Sequence, residues 1–170
     1  MGELGESDDS RSSRSGALRL QLDPAGQVRL LATLLLALSV AAVDQCVKVA
    51  IATPSWAYHH RSPSWFLVSW ALCFGVPILA VVPSRAVLVG AALLSGGMLG
   101  NVLSASTDGL TVANPLVVGR TSGVAFNVAD VCILSGNMIL VVSLMTLAIR
   151  NRDRIDGWNA LLRQVVRHRL

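Results

Sequence analysis

Four apolar stretches alternate with short polar segments along the chain. They cover residues 28–47, 65–82, 86–103 and 126–149. A helix that crosses the hydrocarbon core of a bilayer needs about 20 consecutive, mostly apolar residues. Only Pro83, Ser84 and Arg85 separate the second stretch from the third, which predicts a tight helical hairpin. The pattern therefore predicts an all-α membrane protein with four transmembrane helices.

Polar segments flank this four-helix domain on both sides. Residues 1–27 begin with a run rich in Ser, Gly and charged groups, which predicts a disordered N-terminal arm. Residues 150–170 place apolar side chains at three- and four-residue spacing between arginines, a pattern typical of an amphipathic helix on an anionic membrane surface. A solvated basic tail that folds weakly is the alternative. We expect an arm (1–27), a membrane domain (28–149) and a basic tail (150–170).

The positions of Lys and Arg predict the orientation in the membrane. The chain has 14 Lys and Arg residues. Three of them lie in or next to the loops that follow the first and third stretches, namely Lys48, Arg61 and Arg120. The other eleven precede the first stretch or lie at its start, separate the second from the third, or follow the fourth. Cytoplasmic segments carry the excess of positive charge. We therefore expect both termini to be cytoplasmic and the loops 53–64 and 104–125 to be extracytoplasmic.

The composition argues against a water-soluble enzyme and against several kinds of site. Of the 170 residues, 53% are hydrophobic and 14% are charged, whereas an average soluble domain has roughly 25% charged residues. The net charge of +4 comes from arginines at the two ends, which favours membrane lipids over nucleic acid as partners. Cys46, Cys73 and Cys132 lie in apolar runs, and no ligand stands at a suitable spacing from His59 and His60. We expect no disulfide framework, no metal and no cofactor, and we assign the two histidines to the loop surface.

Three acidic residues interrupt the otherwise apolar region between residues 28 and 149, namely Asp44, Asp108 and Asp130. A carboxylate inside a membrane is costly and often functional. Asp44 and Lys48 have the i,i+4 spacing of an ion pair on one helix face, which is either structural or part of a site. No basic residue lies within a helical turn of Asp130, so Asp130 is the stronger functional candidate.

Several asparagines are expected at the same depth as these acids. Asn101 follows Gly96 and Gly100 at the end of the third stretch, and Asn127 lies one turn before Asp130 at the start of the fourth. Because successive spans alternate in direction, the ends that carry these residues meet on one side, which predicts a shared pocket. A hydrogen-bonding end of the helix is the simpler alternative for Asn101. The Gly96–Gly100 spacing suits close helix packing within one chain as well as between two copies, and we expect a monomer.

The order of these motifs resembles the lipoprotein signal peptidase (signal peptidase II) family. Asp44-Gln-x-x-Lys48 closes the first span, Gly-Gly-x-x-Gly-Asn101 closes the third, and Phe126-Asn-x-Ala-Asp130 opens the fourth. The resemblance covers about residues 28–149. It implies a multi-pass aspartic-type endopeptidase of the bacterial inner membrane, which cleaves prolipoprotein signal peptides before the lipid-modified cysteine. It also implies two aspartates at the extracytoplasmic face and no metal.

The chain departs from this family where the second catalytic acid is expected. Asp130 matches one family aspartate, but the other aligns with Ala113, or with Asn114 if the register slips by one residue. The Asp-Arg pair that follows Gly-Asn in the family is Ser104 and Ala105 here. The first extracytoplasmic loop also lacks the family's Asn-x-Gly-x-Ala-Phe segment. The chain therefore looks like a divergent member with an incomplete catalytic dyad.

Two hypotheses follow from these departures. In the first, the chain is an active aspartic endopeptidase in which Asp108 supplies the second acid, because Asp44 is expected to be held by Lys48. In the second, an inactive homologue binds signal peptides, lipoproteins or a membrane partner through the same groove, with Asn114 contacting the peptide, since a neutral amide is no general base. The candidate catalytic residues are Asp130 and Asp108, and the candidate binding or supporting residues are Asn127, Asn101, Asn114, Asp44 and Lys48. A transporter or channel is disfavoured, because the spans show no broken-helix pair and no charged pathway.

Overall fold

Four long apolar helices make up most of the computed structural model, which describes residues 23–119 and 123–152. They are α1 (Pro24–Ala50), α2 (Pro63–Gly75) with the 3₁₀ segment Val76–Val81, α3 (Arg85–Thr107) and α4 (Val128–Arg150). With the 3₁₀ segment counted as part of the second span, each of the four spans is long and apolar enough to cross a membrane. The expected all-α, multi-pass membrane protein is confirmed.

Residues at the helix ends explain where α1 begins and where the second span changes from an α-helix to a 3₁₀ helix. α1 begins at Pro24 instead of residue 28, because Asp23 accepts a hydrogen bond from the Gly26 N–H at 2.8 Å and proline is favoured at the first helical position. The second span is α-helical only to Gly75. Pro77 has no N–H to continue the α-helical hydrogen bonds, and the chain completes the span as a 3₁₀ helix.

α3 lies at the centre of the bundle and packs against α1, α2 and α4. Its buried positions are mostly glycine, alanine and serine. The other helices expose large apolar side chains, among them Leu31, Leu67, Phe74 and Leu134. Exposed apolar side chains of this kind suit contact with lipid tails. The small residues of α3 let the backbones of the neighbouring helices approach closely.

The glycines of α3 make these close approaches possible. A Cβ atom on Gly96 would lie 2.6 Å from the Ala37 carbonyl oxygen of α1, and one on Gly97 would lie 2.6 Å from a carbonyl oxygen of α4. A Cβ atom on Gly100 would lie 2.7 Å from Asp44 Oδ2. Gly96 and Gly100 are therefore used for packing within the chain, which is one of the two roles that their spacing allowed.

Short strands join the loops at the end of the bundle where α1 and α3 end and α4 begins. β1 (Tyr58–His60) pairs antiparallel with β2 (Thr111–Ala113), and β3 (Leu116–Val118) pairs antiparallel with β4 (Val124–Phe126). The loop after α1 and the loop after α3 thus form one structure. We call this end of the bundle, formed by residues 44–61, 101–119 and 123–130, the polar end.

Parts of the predicted organisation lie outside the described residues. The structure describes neither residues 1–22 nor residues 153–170. The disordered arm and the amphipathic tail helix therefore stay predictions, as does the orientation in the membrane. The cap at Asp23 brings residues 24–27 into α1, and the division into arm, membrane domain and tail stays a prediction.

We predict that Gly96→Ala destabilises the bundle by about 1–3 kcal/mol, because the added methyl group has to displace the α1 backbone. Gly75→Ala is the matched control, since a Cβ atom there would meet nothing within 4 Å. Thermal unfolding in detergent measures both variants. Equal melting temperatures for the two would contradict the packing role of Gly96.

Candidate functional site at the polar end

A buried ion pair on α1 anchors the polar end. Lys48 Nζ lies 2.6 Å from Asp44 Oδ2, and the two side chains are 6% and 0% exposed. The other carboxylate oxygen of Asp44 accepts a hydrogen bond from the Ala129 N–H, in the first turn of α4, at 2.8 Å. The pair therefore links α1 to α4, and Lys48 compensates a carboxylate that would otherwise be costly to bury.

The same part of α1 also binds α3. Lys48 Nζ donates to Asn101 Oδ1 at 3.1 Å and to Ser104 Oγ at 2.9 Å. Gln45 Nε2 donates to the Gly100 carbonyl oxygen at 2.7 Å. Since an ammonium group has three donors, Asp44, Asn101 and Ser104 together satisfy Lys48. Ser104, which stands at a position where the resembled family has an acid, therefore acts here as a neutral partner of Lys48.

The N-terminus of α4 carries a reciprocal capping arrangement. The Asp130 N–H donates to Asn127 Oδ1 at 2.8 Å, and the Asn127 N–H donates to Asp130 Oδ2 at 3.2 Å. This capping box satisfies two backbone donors and starts α4 at Val128, whereas Phe126 belongs to β4. The helix N-terminus also favours the negative charge of Asp130.

Three buried asparagines connect Asp130 to the loops. Asn127 Nδ2 lies 2.9 Å from Asn101 Oδ1, 2.7 Å from Asn114 Oδ1 and 3.2 Å from the Ala113 carbonyl oxygen. Asn101 Nδ2 in turn donates to Asp130 Oδ1 at 3.0 Å. The asparagine side chains are oriented unambiguously, because the Asp130 backbone N–H can only donate and so identifies Asn127 Oδ1 as the acceptor.

Asp130 retains the capacity to bind a further group. Asn101 occupies one lone pair of Oδ1, and the Asn127 N–H occupies one of Oδ2. An ionised carboxylate offers about four such sites, and Asp130 is partly exposed. In contrast, Asp44 is fully buried. Of these two acids, Asp130 is the one that an external ligand can reach.

Asp108 lies outside the network, which corrects the expectation that it pairs with Asp130. It is an exposed residue at the C-terminal cap of α3, where its N–H donates to the Ser104 carbonyl oxygen at 3.1 Å. Asp108 is seven positions after Asn101. At a rise of 1.5 Å per residue, it lies about 10 Å farther along the axis of α3. The helix of α3 continues past Asn101 to Thr107 and carries Asp108 away from Asp130.

His59 is a member of the network that the sequence reasoning missed. Its Nδ1 atom lies 3.1 Å from Asn114 Nδ2. Because that amide nitrogen can only donate, Nδ1 is the acceptor and the ring hydrogen lies on Nε2. The ring remains exposed, as expected for the loop surface, but the β1–β2 pairing brings it beside Asn114. No sequence signal indicated this contact, since the two residues are 55 positions apart.

The structure thus assembles Asp44, Lys48, Asn101, Asn114, Asn127 and Asp130 into one network, together with His59. Within residues 23–119 and 123–152, no group of three or more His, Cys, Asp or Glu side chains is placed to hold a metal ion. The network therefore offers carboxylate, amide and imidazole groups for hydrogen bonding and proton transfer.

Two solved structures of bacterial membrane enzymes, obtained by the in meso method at 2.3 and 1.9 Å resolution, share this fold. The first is 16% identical, with a TM-score of 0.54, and the match covers 67% of this chain and 87% of that chain. The second is 17% identical, with a TM-score of 0.53, and the match covers 66% and 91% of the two chains. No protein-family model and no curated protein matches the sequence. The chain therefore has a fold that occurs in bacterial membrane enzymes.

We predict that Lys48→Met destabilises the protein by about 3–5 kcal/mol, because it leaves the Asp44 carboxylate buried without a counter-charge. Adding Asp44→Asn should recover part of this loss, since the amide is neutral and its oxygen can still accept from the Ala129 N–H. Denaturant unfolding in detergent measures the single and double variants. A double variant no more stable than Lys48→Met would contradict the ion-pair explanation.

Proposed function

We propose that the chain is a divergent protein of the signal peptidase II type, located in the bacterial inner membrane, that binds prolipoprotein signal peptides at the extracytoplasmic side. The observation that carries the proposal is the network around Asp130. The motif residues that suggested the resemblance, Asp44, Lys48, Asn101, Asn127 and Asp130, meet there in direct contact. The similarity in fold to bacterial membrane enzymes supports the same proposal.

The polar groups at this end suit an extended peptide backbone. The free lone pairs of Asp130 can accept peptide N–H groups, and the Nε2–H of His59 can donate to a peptide carbonyl. An apolar groove of about 340 Å³ lies on α1 beside the Asp44–Lys48 turn, lined by residues that include Val43, Val47 and Ile51. Apolar side chains of a signal peptide could lie in this groove while its polar segment reaches Asp130.

The arrangement supports binding better than peptide hydrolysis. Aspartic peptidases use two close carboxylates, of which one is protonated and the other activates water. Here Asp44 is occupied by Lys48 and the Ala129 N–H, and Asp108 lies outside the network. The resemblance puts the second acid at Ala113, or at Asn114 if the register slips by one residue, and neither a methyl group nor a neutral amide acts as a general base. The peptidase itself remains the second candidate, because Asp130 keeps both its position and its supporting asparagines.

We predict that prolipoprotein stays uncleaved but bound when this chain is expressed in bacterial cells that lack their own lipoprotein signal peptidase. Cross-linking and co-purification measure the bound fraction, and gel mobility measures cleavage. Asp130→Asn should weaken the binding of prolipoprotein about tenfold or more and reduce its recovery accordingly, since each good hydrogen bond to a charged group contributes about 1.5–3 kcal/mol. Asp108→Asn is the matched control and should leave recovery unchanged.

The outcomes of this experiment distinguish a peptide-binding protein from a peptidase. Cleavage that disappears in Asp130→Asn would establish the peptidase and would require a second acid to reach Asp130. If the wild-type chain neither cleaves prolipoprotein nor allows its recovery, both proposed functions are contradicted.

We further predict that Ala113→Asp produces detectable cleavage, because it adds a carboxylate to a residue whose backbone carbonyl accepts from Asn127, the capping partner of Asp130. The double variant Ala113→Asp, Asp130→Asn should be inactive, since a single acid remains. A folded Ala113→Asp variant that binds but does not cleave would show that the methyl group at position 113 is not what prevents hydrolysis.

A further inference from the structure

A second candidate binding site lies at the opposite end of the bundle. A cavity of about 390 Å³ opens between the second and third turns of α1 and the first turn of α3, and its volume is within the range of small-molecule binding sites. Its lining combines two arginines, Arg29 and Arg85, with the apolar side chains of Val28, Ala32 and Leu88. No acidic residue belongs to this lining in the part of the chain that the structure describes.

Backbone contacts hold the first arginine in place. Arg29 Nε donates to the Ala80 carbonyl oxygen and Nη2 donates to the Val81 carbonyl oxygen, both at 3.2 Å. Asp23 Oδ1 lies 3.9 Å from Nη2, but the side chain of Asp23 is 66% exposed, so solvent screens this charge. The contacts to the two carbonyl groups therefore orient a guanidinium group at the cavity without neutralising it.

The second arginine is available to a ligand. Arg85 is exposed, and it has no hydrogen-bond or ion-pair partner among residues 23–119 and 123–152. The neighbouring Ser84 hydroxyl already accepts from the Val87 N–H at 3.4 Å as the cap of α3. The cavity thus carries the positive charges of two arginine side chains.

The depth of the cavity matches that of lipid headgroups. α3 has 23 residues and is about 35 Å long at 1.5 Å per residue, whereas the hydrocarbon core of a bilayer is about 30 Å thick. Arg85, its first residue, therefore lies near the boundary between headgroups and acyl chains. Leu88 follows Arg85 by three residues in α3, and Ala32 follows Arg29 by three residues in α1. Each therefore lies about one turn farther along its helix than the arginine, where an acyl chain would run.

We propose that this cavity binds one anionic phospholipid, with its phosphate between Arg29 and Arg85 and an acyl chain against Val28, Ala32 and Leu88. The pairing of two cations with an apolar floor fits this occupant better than it fits free phosphate, which would leave the apolar lining unused. A zwitterionic lipid would place its own cation beside the two arginines. This proposal is independent of the function proposed for the polar end.

Native mass spectrometry of the full chain in a neutral detergent tests the site with three probes: phosphatidylglycerol, phosphatidylcholine and inorganic phosphate. The wild type should retain phosphatidylglycerol in preference to phosphatidylcholine and should not retain phosphate. Arg85→Ala should weaken the binding of phosphatidylglycerol about fivefold, as expected for one basic side chain at a charged membrane surface. Ala32→Trp should weaken it as well, since the indole ring occupies the acyl part of the cavity without a change of charge.

Two matched controls lie near the same end of the bundle but do not line the cavity. Arg150→Ala removes an exposed arginine at the end of α4, and Ala148→Trp adds an indole ring on the exposed face of α4. Both should bind phosphatidylglycerol like the wild type. Equal losses in Arg85→Ala and Arg150→Ala, equal retention of the two lipids, or phosphate binding that Ala32→Trp leaves unchanged would each overturn the proposal.

Discussion

The buried ion pair between Asp44 and Lys48 is the constraint on which the rest of the polar end depends. A carboxylate removed from water is tolerated only when a cation and hydrogen-bond donors surround it. Here the donors come from two helices, Lys48 on α1 and the Ala129 N–H on α4, and Lys48 also donates to Ser104 on α3. Gly100 has to lack a side chain for the same reason, because a Cβ atom would stand against the carboxylate. One local charge pair thus determines how closely three helices approach.

The same ion pair gives the two aspartates of the polar end, Asp44 and Asp130, different roles. Lys48 holds Asp44 and also orients Asn101, whose amide nitrogen then donates to Asp130. Asp130 receives its second hydrogen bond from the start of α4 and remains partly exposed. One carboxylate therefore serves the structure and the other is available to a ligand. A hydrolytic site would need a second available acid, and neither of the two positions that the resemblance allows for it, Ala113 and Asn114, carries a carboxylate.

The two ends of the bundle offer different chemistry to the membrane. The polar end presents a carboxylate, amides and an imidazole beside short strands, a surface suited to hydrogen bonding with an extended chain. The opposite end presents Arg29 and Arg85 above apolar side chains, a surface suited to an anionic lipid. Both depend on the central position of α3, because its small residues let α1 approach closely enough to enclose a cavity.

The sequence alone determined the features that depend on neighbours within a few turns. Apolar length predicted four spans, the i,i+4 spacing predicted the Asp44–Lys48 pair, and the motif at 126–130 placed Asn127 and Asp130 on one face. Only the tertiary structure decided which acids meet. It excluded Asp108 from the network, because α3 continues past Asn101, and through the β1–β2 pairing it brought His59 to Asn114, 55 positions away along the chain. Helical periodicity is a local property that can be read along one segment, whereas contacts between loops depend on how whole helices pack.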